Sequence, residues 1–255
     1  MNTYYCFDCE TQGIKEPYPV QISIIIKKVG NHEYLGEFME YVKPIGQLSP
    51  AAIVVHGITN VKAANFPVGE RILVKLSKFL REEVQPRTVY AVGHNIRFDI
   101  DTLNNFVSLH TNEEAGFETE VSIDTLRLAQ KLIPKEEIGG YNLDACWYFL
   151  NKEENSLEIL SATRVLHDAK MDVIMTMDVF EWLIELLPPD KRNLADIAKF
   201  CTQPEMLERM PFGKHEGMLI QDVPKSYIEW FIRQGWAEQW PDLLHTIEEQ
   251  LGLKR

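Results

Sequence analysis

The sequence predicts an α/β fold in which helices cover a mixed sheet, followed by a small C-terminal module. Runs rich in β-branched and aromatic residues open the chain, and helical and short strand patterns then alternate. This order is typical of a layered α/β architecture. A long helical pattern ends at "LLPPDKRN", where two prolines and a charge cluster indicate a break. We therefore expect one domain over residues 1–187 and a module over residues 188–255.

The first half of the domain is predicted to begin with an antiparallel meander. Strands are predicted in "NTYYCFDCE" and "YPVQISIIIKKV", and a third in "HEYLGEFMEYVKP" after the turn at Gly30-Asn31. The helical spacing of apolar residues predicts a helix in "VGERILVKLSKFLREEV". The apolar run "TVYAVGHN" predicts a further strand that ends at Gly93.

The second half is predicted to be mainly helical. Helices are expected in "FDIDTLNNFVSLH", "YNLDACWYFLN" and "HDAKMDVIMTMDVFEWLIELL", with a short strand in "EVSID". In the C-terminal module, Gly213 and Gly217 bracket a predicted turn, and residues 226–231 form a short amphipathic helix. The aromatic residues of this module, spaced at helical intervals, favour a small core over direct contact with nucleic acid.

Composition limits the kinds of protein that this chain can be. Of its 255 residues, 45% are hydrophobic and 25% charged, as in a globular protein, and the most apolar helical run contains three acidic residues. Because of these acidic residues, no membrane span is expected. No secretory signal is visible, and four scattered cysteines favour a reducing, cytoplasmic setting. The net charge of -12 disfavours tight nucleic-acid binding unless carboxylates hold metal ions or a partner protein delivers the substrate.

Two motifs overlap in the first strand: Cys6-x-x-Cys9 and Asp8-x-Glu10. Strand side chains alternate between the two faces of a sheet, so both carboxylates share one face. The same alternation sends Cys6 and Cys9 to opposite faces and disfavours a zinc or redox site. The pattern therefore favours a carboxylate site and two core thiols, although Asp-x-Glu alone is also typical of a solvated strand edge.

Two later segments contribute further acidic residues. Asp99 follows a strand that ends at Gly93, where a capping role is the alternative; for Asp101 and Asp124 we expect ordinary helix-end roles. His167 and Asp172 are five residues apart, which corresponds to about 140° around a helix, so they cannot share one helical face. We therefore expect His167 to lie just before the helix and to lean over Asp172.

These motifs, in this order, resemble those of the DEDDh exonuclease family, which has a ribonuclease H-like fold. The resemblance covers residues 1 to about 187 and rests on "FDCET", "GHNIRFD" and "HDAKMD", with "AIVVHGIT" and "SIDTLRLA" as further matches. It implies that Asp8, Glu10, Asp99 and Asp172 bind two Mg²⁺ or Mn²⁺ ions and that His167 is the general base. The C-terminal "FGKHEGMLIQDVPKSYIEWFI" resembles the corresponding segment of exodeoxyribonuclease X-type members.

The resemblance also implies a function and a set of substrate contacts. It implies a 3'-5' exonuclease that releases 5'-mononucleotides from single-stranded or frayed DNA ends, in repair or end trimming. The residues expected to contact the substrate are Thr11, Ile14, His56, Gly57, Ile58, Thr59, Asn95 and Phe98. The alternatives are an RNA or oligoribonucleotide exonuclease, a catalytically inactive nucleic-acid-binding module, and a zinc or redox protein. The oligomeric state is not predicted.

Overall fold

The computed structural model describes residues 3–15, 17–31, 33–84, 89–111, 122–151 and 167–253. The chain divides into two compact units, Met1–Cys201 and Thr202–Arg255. No helix among these described ranges is long and apolar enough to cross a membrane.

A five-stranded mixed sheet forms the centre of the first unit. Its strands are β1 (Thr3–Thr11), β2 (Pro19–Lys28), β3 (Tyr34–Tyr41), β4 (Val89–Gly93) and β5 (Ser122–Asp124), in the order β3-β2-β1-β4-β5. The first three strands pair antiparallel as the predicted meander, while β4 pairs parallel with β1 and β5. The sheet confirms the predicted α/β class.

Helices cover both faces of the sheet. They are α1 (Pro50–His56), α2 (Asn60–Ala63), α3 (Gly69–Phe79), α4 (Ile96–Thr111), α5 (Thr125–Leu132), α6 (Lys135–Ile138), α7 (Leu143–Leu150), α8 (Ala169–Leu186) and α9 (Leu194–Thr202). A π-helical turn, Leu80–Val84, continues α3. Helix α1 was not predicted from the sequence, although the Ser49 side chain caps its first turn and Gly57 ends it in the left-handed conformation at φ 67°.

The alternation of β1 produces two cores. Tyr4 and Cys6 pack with α5, α7, α8 and α9 on one face, whereas Phe7 and Cys9 pack with α3 and α4 on the other. The two thiols therefore point to opposite faces, as the strand pattern predicted. Asp8 and Glu10 belong by alternation to the face of Cys6, where α8 begins.

The second unit has its own core. Its helices α10 (Lys225–Ile232) and α11 (Pro241–Leu251) bury Phe231, Leu243 and Ile247. The Phe212 ring contacts Phe231, Trp236 and Trp240 in this core. We expected the boundary after residue 187, but α9 lies in the first unit because its Leu194, Ile197 and Cys201 side chains are buried in the core formed with α8.

Candidate active site

The candidate site lies where β1 extends beyond its parallel neighbour. The pairing of β1 with β4 stops at Cys6↔Val92, while β1 continues to Thr11. The end of β1 that carries Asp8 and Glu10 is therefore paired with β2 alone, at Asp8↔Ser23 and Glu10↔Gln21. This leaves backbone groups on the β4 side of β1 available to other partners.

Helix α4 supplies one such partner through Asp99. The N–H of Cys9 donates to the Asp99 Oδ1 atom at 3.0 Å, which places this carboxylate between the two acidic residues of β1 along the strand. Asp99 lies in the first turn of α4 and is only 5% exposed. Burial raises its pKa well above the ordinary value, and the nearby Glu10 and Asp124 carboxylates raise it further.

The segment that leads into α8 supplies His167 and Asp172. His167 precedes the helix, as expected, and its N–H donates to the Val55 carbonyl of α1 at 3.0 Å. Its Nδ1 atom lies 3.1 Å from Oδ2 of Asp172, which is 5% exposed in the first turn of α8. Because a carboxylate only accepts, Nδ1 carries the hydrogen of this bond, and the neutral ring keeps its lone pair on Nε2.

Two residues that were not predicted as part of the site, Gln21 and Asp168, join the start of α8 to β2. Asp168 caps α8 by accepting the N–H groups of Lys170 and Met171, and its other oxygen accepts from the Gln21 side-chain amide at 2.8 Å. Gln21 stands opposite Glu10 in the β1–β2 ladder. An acidic residue at a helix start signals a cap, but its contact with a strand 147 residues earlier is decided only by the fold.

These contacts bring three of the five expected catalytic residues into one group. Ligand atoms of Glu10, His167 and Asp172 all lie within 4.8 Å of one another. Asp99 is tied to the same end of β1 by the Cys9 N–H, and Asp8 lies on the ladder two residues before Glu10. Crowded carboxylate oxygens suit hard divalent cations. Burial is the main cause of the raised pKa of Asp99, and the repulsion from Glu10 and Asp124, which adds to it, is the part that such a cation would relieve. The donor set therefore fits a divalent metal site.

A pocket of about 730 Å³ opens beside this group, and four of the expected substrate contacts line it: Thr11, Ile14, His56 and Phe98. Glu10 also lines the pocket, so the acidic group reaches its wall. The Ile14 side chain is 84% exposed on the loop that follows β1. His56 is buried, and its Nδ1 atom accepts the Ile58 N–H at 3.0 Å. Burial lowers the pKa of His56, and the nearby His167 lowers it further.

The other four expected substrate residues do not line this pocket and have local structural contacts. Gly57 ends α1, Ile58 is 2% exposed in a small core, and the Thr59 side chain caps α2 by accepting the Lys62 N–H. Asn95 adopts a left-handed conformation with φ 60°, and its N–H donates to Asp124 at 2.9 Å. Asp124 also caps α5, which agrees with its predicted helix-end role.

The cysteines show none of the features of a zinc site. All four are free and buried, and the metal-compatible group found among the described residues contains no sulfur ligand. Burial raises the pKa of both the Cys6 and the Cys9 thiol well above the ordinary value. Core packing is the role that this geometry supports for these thiols.

Comparison with known families identifies the first unit. The family model RNase_T, described as Exonuclease, matches residues 5–180. The chain belongs to this exonuclease family. The match confirms the expected enzyme class, an exonuclease that hydrolyses phosphodiesters. A second family model, described as a putative quorum-sensing-regulated virulence factor, matches residues 203–249.

Curated relatives contain the exonuclease as part of longer proteins. DNA polymerase III PolC-type from Pediococcus pentosaceus is 30% identical over 141 residues, covering 55% of this chain and 9% of that protein. The Staphylococcus epidermidis protein of the same name is 26% identical over 222 residues, covering 86% of this chain and 14% of its own length. The chain thus spans only a small part of the curated relatives that it matches.

Solved structures share the fold of the first unit. "Exonuclease X in complex with 5' overhanging duplex DNA" is 22% identical, with 76% of this chain and 99% of that chain covered and a TM-score of 0.50. E. coli Exonuclease I, bound to a dA13 oligonucleotide, is 19% identical with 74% and 41% covered and a TM-score of 0.55. The nuclease domain of 3'hExo, a DEDDh family member bound to rAMP, is 14% identical with 72% and 92% covered and a TM-score of 0.55. These similarities confirm the expected ribonuclease H-like fold.

Proposed function

We propose that this exonuclease acts in the 3'-5' direction, depends on divalent metal ions and releases 5'-mononucleotides from DNA 3' ends. The observation that carries the proposal is the grouping of Glu10, His167 and Asp172 within 4.8 Å. These residues come from two distant segments, and Asp99 from a third is bonded to the same end of β1. This arrangement supports the catalytic set that the motifs imply.

Asp8, Glu10, Asp99 and Asp172 would hold two Mg²⁺ or Mn²⁺ ions. When bound, such a pair stabilises negative charge on the attacking and leaving oxygens of a phosphodiester. The carboxylates contribute oxygen ligands that magnesium and manganese favour over softer metals. Their burial, at 8% exposure for Glu10 and 5% for Asp99 and Asp172, keeps the ligands in fixed positions.

His167 would remove a proton from the attacking water. Its bond to Asp172 holds the hydrogen on Nδ1 and leaves Nε2 as the accepting atom. The side chain is 43% exposed, so Nε2 can exchange the proton with solvent after each turnover. The Val55 carbonyl fixes the backbone from which this ring extends.

The neighbouring pocket would hold the terminal nucleotide. Its volume of about 730 Å³ lies in the range of small-molecule sites, and an exposed Ile14 and a Phe98 ring offer apolar surface to a base. Such contacts accept any base. DNA is the favoured substrate because the curated relatives are named as DNA polymerases and two of the similar exonuclease structures contain DNA.

The test is nucleotide release from matched DNA and RNA oligonucleotides that carry a label at either end. We expect the wild type with Mg²⁺ to shorten DNA from its 3' end and release 5'-mononucleotides. Asp8→Ala and His167→Ala should lower the rate by about a hundredfold or more with the fold intact. Asp101→Asn is the matched control, since Asp101 lies on α4 near Asp99 but pairs with Arg97 at the surface.

Three outcomes would contradict the proposal. Faster cleavage of RNA than of DNA would favour the alternative function, an RNA or oligoribonucleotide exonuclease. Binding without metal-dependent release would indicate an inactive nucleic-acid-binding module. Shortening from the 5' end would exclude the proposed direction.

A further inference from the structure

We propose that Asp124 is a positioning residue for the active site: it fixes the turn from which α4 begins and so holds Asp99 at the acidic group. This inference rests on the proposed exonuclease function and gives Asp124 a role beyond its cap of α5. Asp124 ends β5 and stands directly opposite Gly93, the last residue of β4, in their parallel ladder. The register of the sheet thus places its carboxylate beside the β4–α4 turn.

The turn between β4 and α4 is short and sharply bent. The strand ends at Gly93 and the helix begins at Ile96, so His94 and Asn95 alone connect them. A Cβ atom on Gly93 would lie 2.8 Å from Cγ1 of Ile96, which shows how closely the chain folds back on itself. Asn95 has a φ of 60°, a conformation that a residue with a side chain rarely adopts unless its surroundings hold it there. The turn therefore needs support from another element.

Asp124 provides this support through one oxygen atom. Its Oδ1 accepts the Asn95 N–H at 2.9 Å and the Leu126 N–H at 2.9 Å. The bond to Leu126 is enough to cap α5, whereas the bond to Asn95 joins residues 29 positions apart. A single carboxylate oxygen thus fixes the start of α4 relative to the start of α5.

His94 ties the same turn to two further segments. Its Nδ1 atom lies 2.9 Å from Oγ1 of Thr125, and its Nε2 atom lies 2.7 Å from the Tyr141 carbonyl oxygen. Because a carbonyl only accepts, Nε2 carries the hydrogen of that bond. Burial lowers the pKa of His94, which favours the neutral ring. Both residues of the turn are therefore held from the β5–α5 side.

The turn in turn sets the position of Asp99. The Phe98 N–H donates to the Asn95 carbonyl at 3.2 Å, so the first turn of α4 is built on Asn95. Asp99 lies in that first turn, and its Oδ1 accepts the Cys9 N–H of β1 at 3.0 Å. Core packing of residues such as Phe106 fixes the body of α4, but Asp99 lies at the end that Asp124 holds. The contacts thus lead from β5 to the end of β1 that carries the acidic residues.

Three variants test this role. Asp124→Ala removes the acceptor, whereas Asp124→Asn keeps an amide oxygen that can accept both N–H groups. Asn142→Ala is the matched control, because Asn142 caps α7 by accepting the Ala145 N–H at 2.8 Å, and loss of this cap should cost a similar stability. If Asp124→Ala does not fold, Asp124→Ser replaces it, since serine also caps helices but its hydroxyl lies closer to the backbone than a carboxylate oxygen.

The first measurement is amide hydrogen exchange in EDTA, with ¹⁵N supplied only in the four cysteines. We expect the Cys9 amide to exchange about tenfold faster in Asp124→Ala than in the wild type, because its acceptor, Asp99, is less firmly held. General destabilisation would accelerate the Cys6 amide as well. In Asn142→Ala we expect only the Cys146 amide to accelerate, since it donates to the Asn142 carbonyl at 3.0 Å in the first turn of α7.

The second measurement concerns metal binding and turnover. The MgCl₂ concentration that gives half of the maximal Tm increase should rise by about tenfold in Asp124→Ala, as for residues that orient metal ligands. Its kcat on a labelled oligonucleotide should fall by about tenfold with KM little changed. Asp124→Asn and Asn142→Ala should remain close to the wild type in both quantities.

The outcomes separate this inference from the proposed function. A wild type that releases no nucleotide would contradict the proposed function, while exchange of the Cys9 amide still decides the role of Asp124. Unchanged Cys9 exchange in Asp124→Ala, or equal acceleration in Asn142→Ala, would overturn the inference. An Asp124→Asn variant as impaired as Asp124→Ala would also overturn it, since the amide oxygen can form the same two bonds.

Discussion

The Nδ1 atom of His167 lies 3.1 Å from the Oδ2 atom of Asp172, across five residues that begin outside α8 and end in its first turn. The contact is possible because His167 precedes the helix. In one regular helix the two side chains would point about 140° apart. The pair fixes the ring orientation and leaves Nε2 as the accepting atom for a proton.

Asp172→Asn tests this relationship. We expect the substitution to lower kcat by about a hundredfold or more, because it removes both a metal-ligand candidate and the acceptor that orients His167. The measurement is single-turnover cleavage of a labelled oligonucleotide. Asp178→Asn is the control on the same helix, since Asp178 accepts from the Trp147 indole outside the acidic group. Equal loss in both variants would indicate general damage to α8.

Magnesium should stabilise the protein against unfolding. A divalent cation relieves the carboxylate repulsion that contributes to the raised pKa of Asp99. Saturation at about a hundredfold excess over Kd is worth about 2.7 kcal/mol, which corresponds to a Tm increase of several degrees. Thermal unfolding with and without MgCl₂ measures the shift.

The matched pair for this measurement is Asp99→Asn and Asp101→Asn. We expect the first to reduce the magnesium-induced Tm shift and the second to retain it, because Asp101 forms a surface ion pair with Arg97. The wild-type shift should also shrink between pH 7 and pH 5, since a raised pKa keeps a proton on Asp99 in competition with the metal. A shift of equal size in both variants would count against Asp99 as a ligand.

Gln21→Met should slow catalysis without removing a metal ligand. Met fills a similar volume but breaks the 2.8 Å bond to Asp168, which joins the start of α8 to the strand opposite Glu10. We expect kcat to fall by about tenfold, in the range for residues that orient ligands, while KM changes little. A change in thermal stability alone, with kcat retained, would show that the contact is only structural.

The four thiols should resist modification in the native protein. Burial raises the pKa of Cys146 to about 11 and that of Cys201 to about 12, and it raises those of Cys6 and Cys9 as well. A disulfide reagent at pH 8 should therefore label them only after denaturation, since the thiolate is the reactive form. Rapid labelling of these thiols in the native protein, or one equivalent of zinc in the purified protein, would instead support the zinc or redox alternative.

Alkaline conditions should destabilise the fold through Tyr4. Its hydroxyl donates to Glu181 at 2.8 Å in the core, and burial raises its pKa above the ordinary value of about 10. The protonated form is thus favoured in the folded state, so its contribution is complete below about pH 10 and is lost as pH rises further. Urea unfolding at pH 8 and pH 10.5 measures the change.

Tyr4→Phe should reduce this pH dependence, and the remainder comes from other buried groups with a raised pKa, such as Tyr5 and Tyr18, each at about 12. The lost hydrogen bond should lower the free energy of unfolding at pH 8 by about 1 kcal/mol. Tyr34→Phe is the control, because Tyr34 is 44% exposed. An alkaline slope in Tyr4→Phe as steep as that of the wild type would assign the effect to other groups.

Local patterns in the sequence predicted much of the fold. Period-two alternation in β1 correctly separated Cys6 from Cys9. The same alternation along the regular ladder assigns Asp8 and Glu10 to one face. Helical geometry correctly placed His167 before α8. The short helix α1 was not assigned, although Ser49-Pro50 and Gly57 are local signals for its start and end. Ile58 and Thr59, expected at the substrate, are a core residue and a helix cap.

By itself the sequence determined which side chains share a strand face or a helix turn, because those relations follow from backbone geometry over a few residues. The tertiary structure alone decided that Gln21 meets Asp168 and that Asp99 accepts the Cys9 N–H. These contacts join segments up to 147 residues apart. The positions of these contacts depend on how far β1 extends beyond the end of β4 and on how α4 and α8 pack against the sheet. Local periodicity in the sequence does not encode that packing.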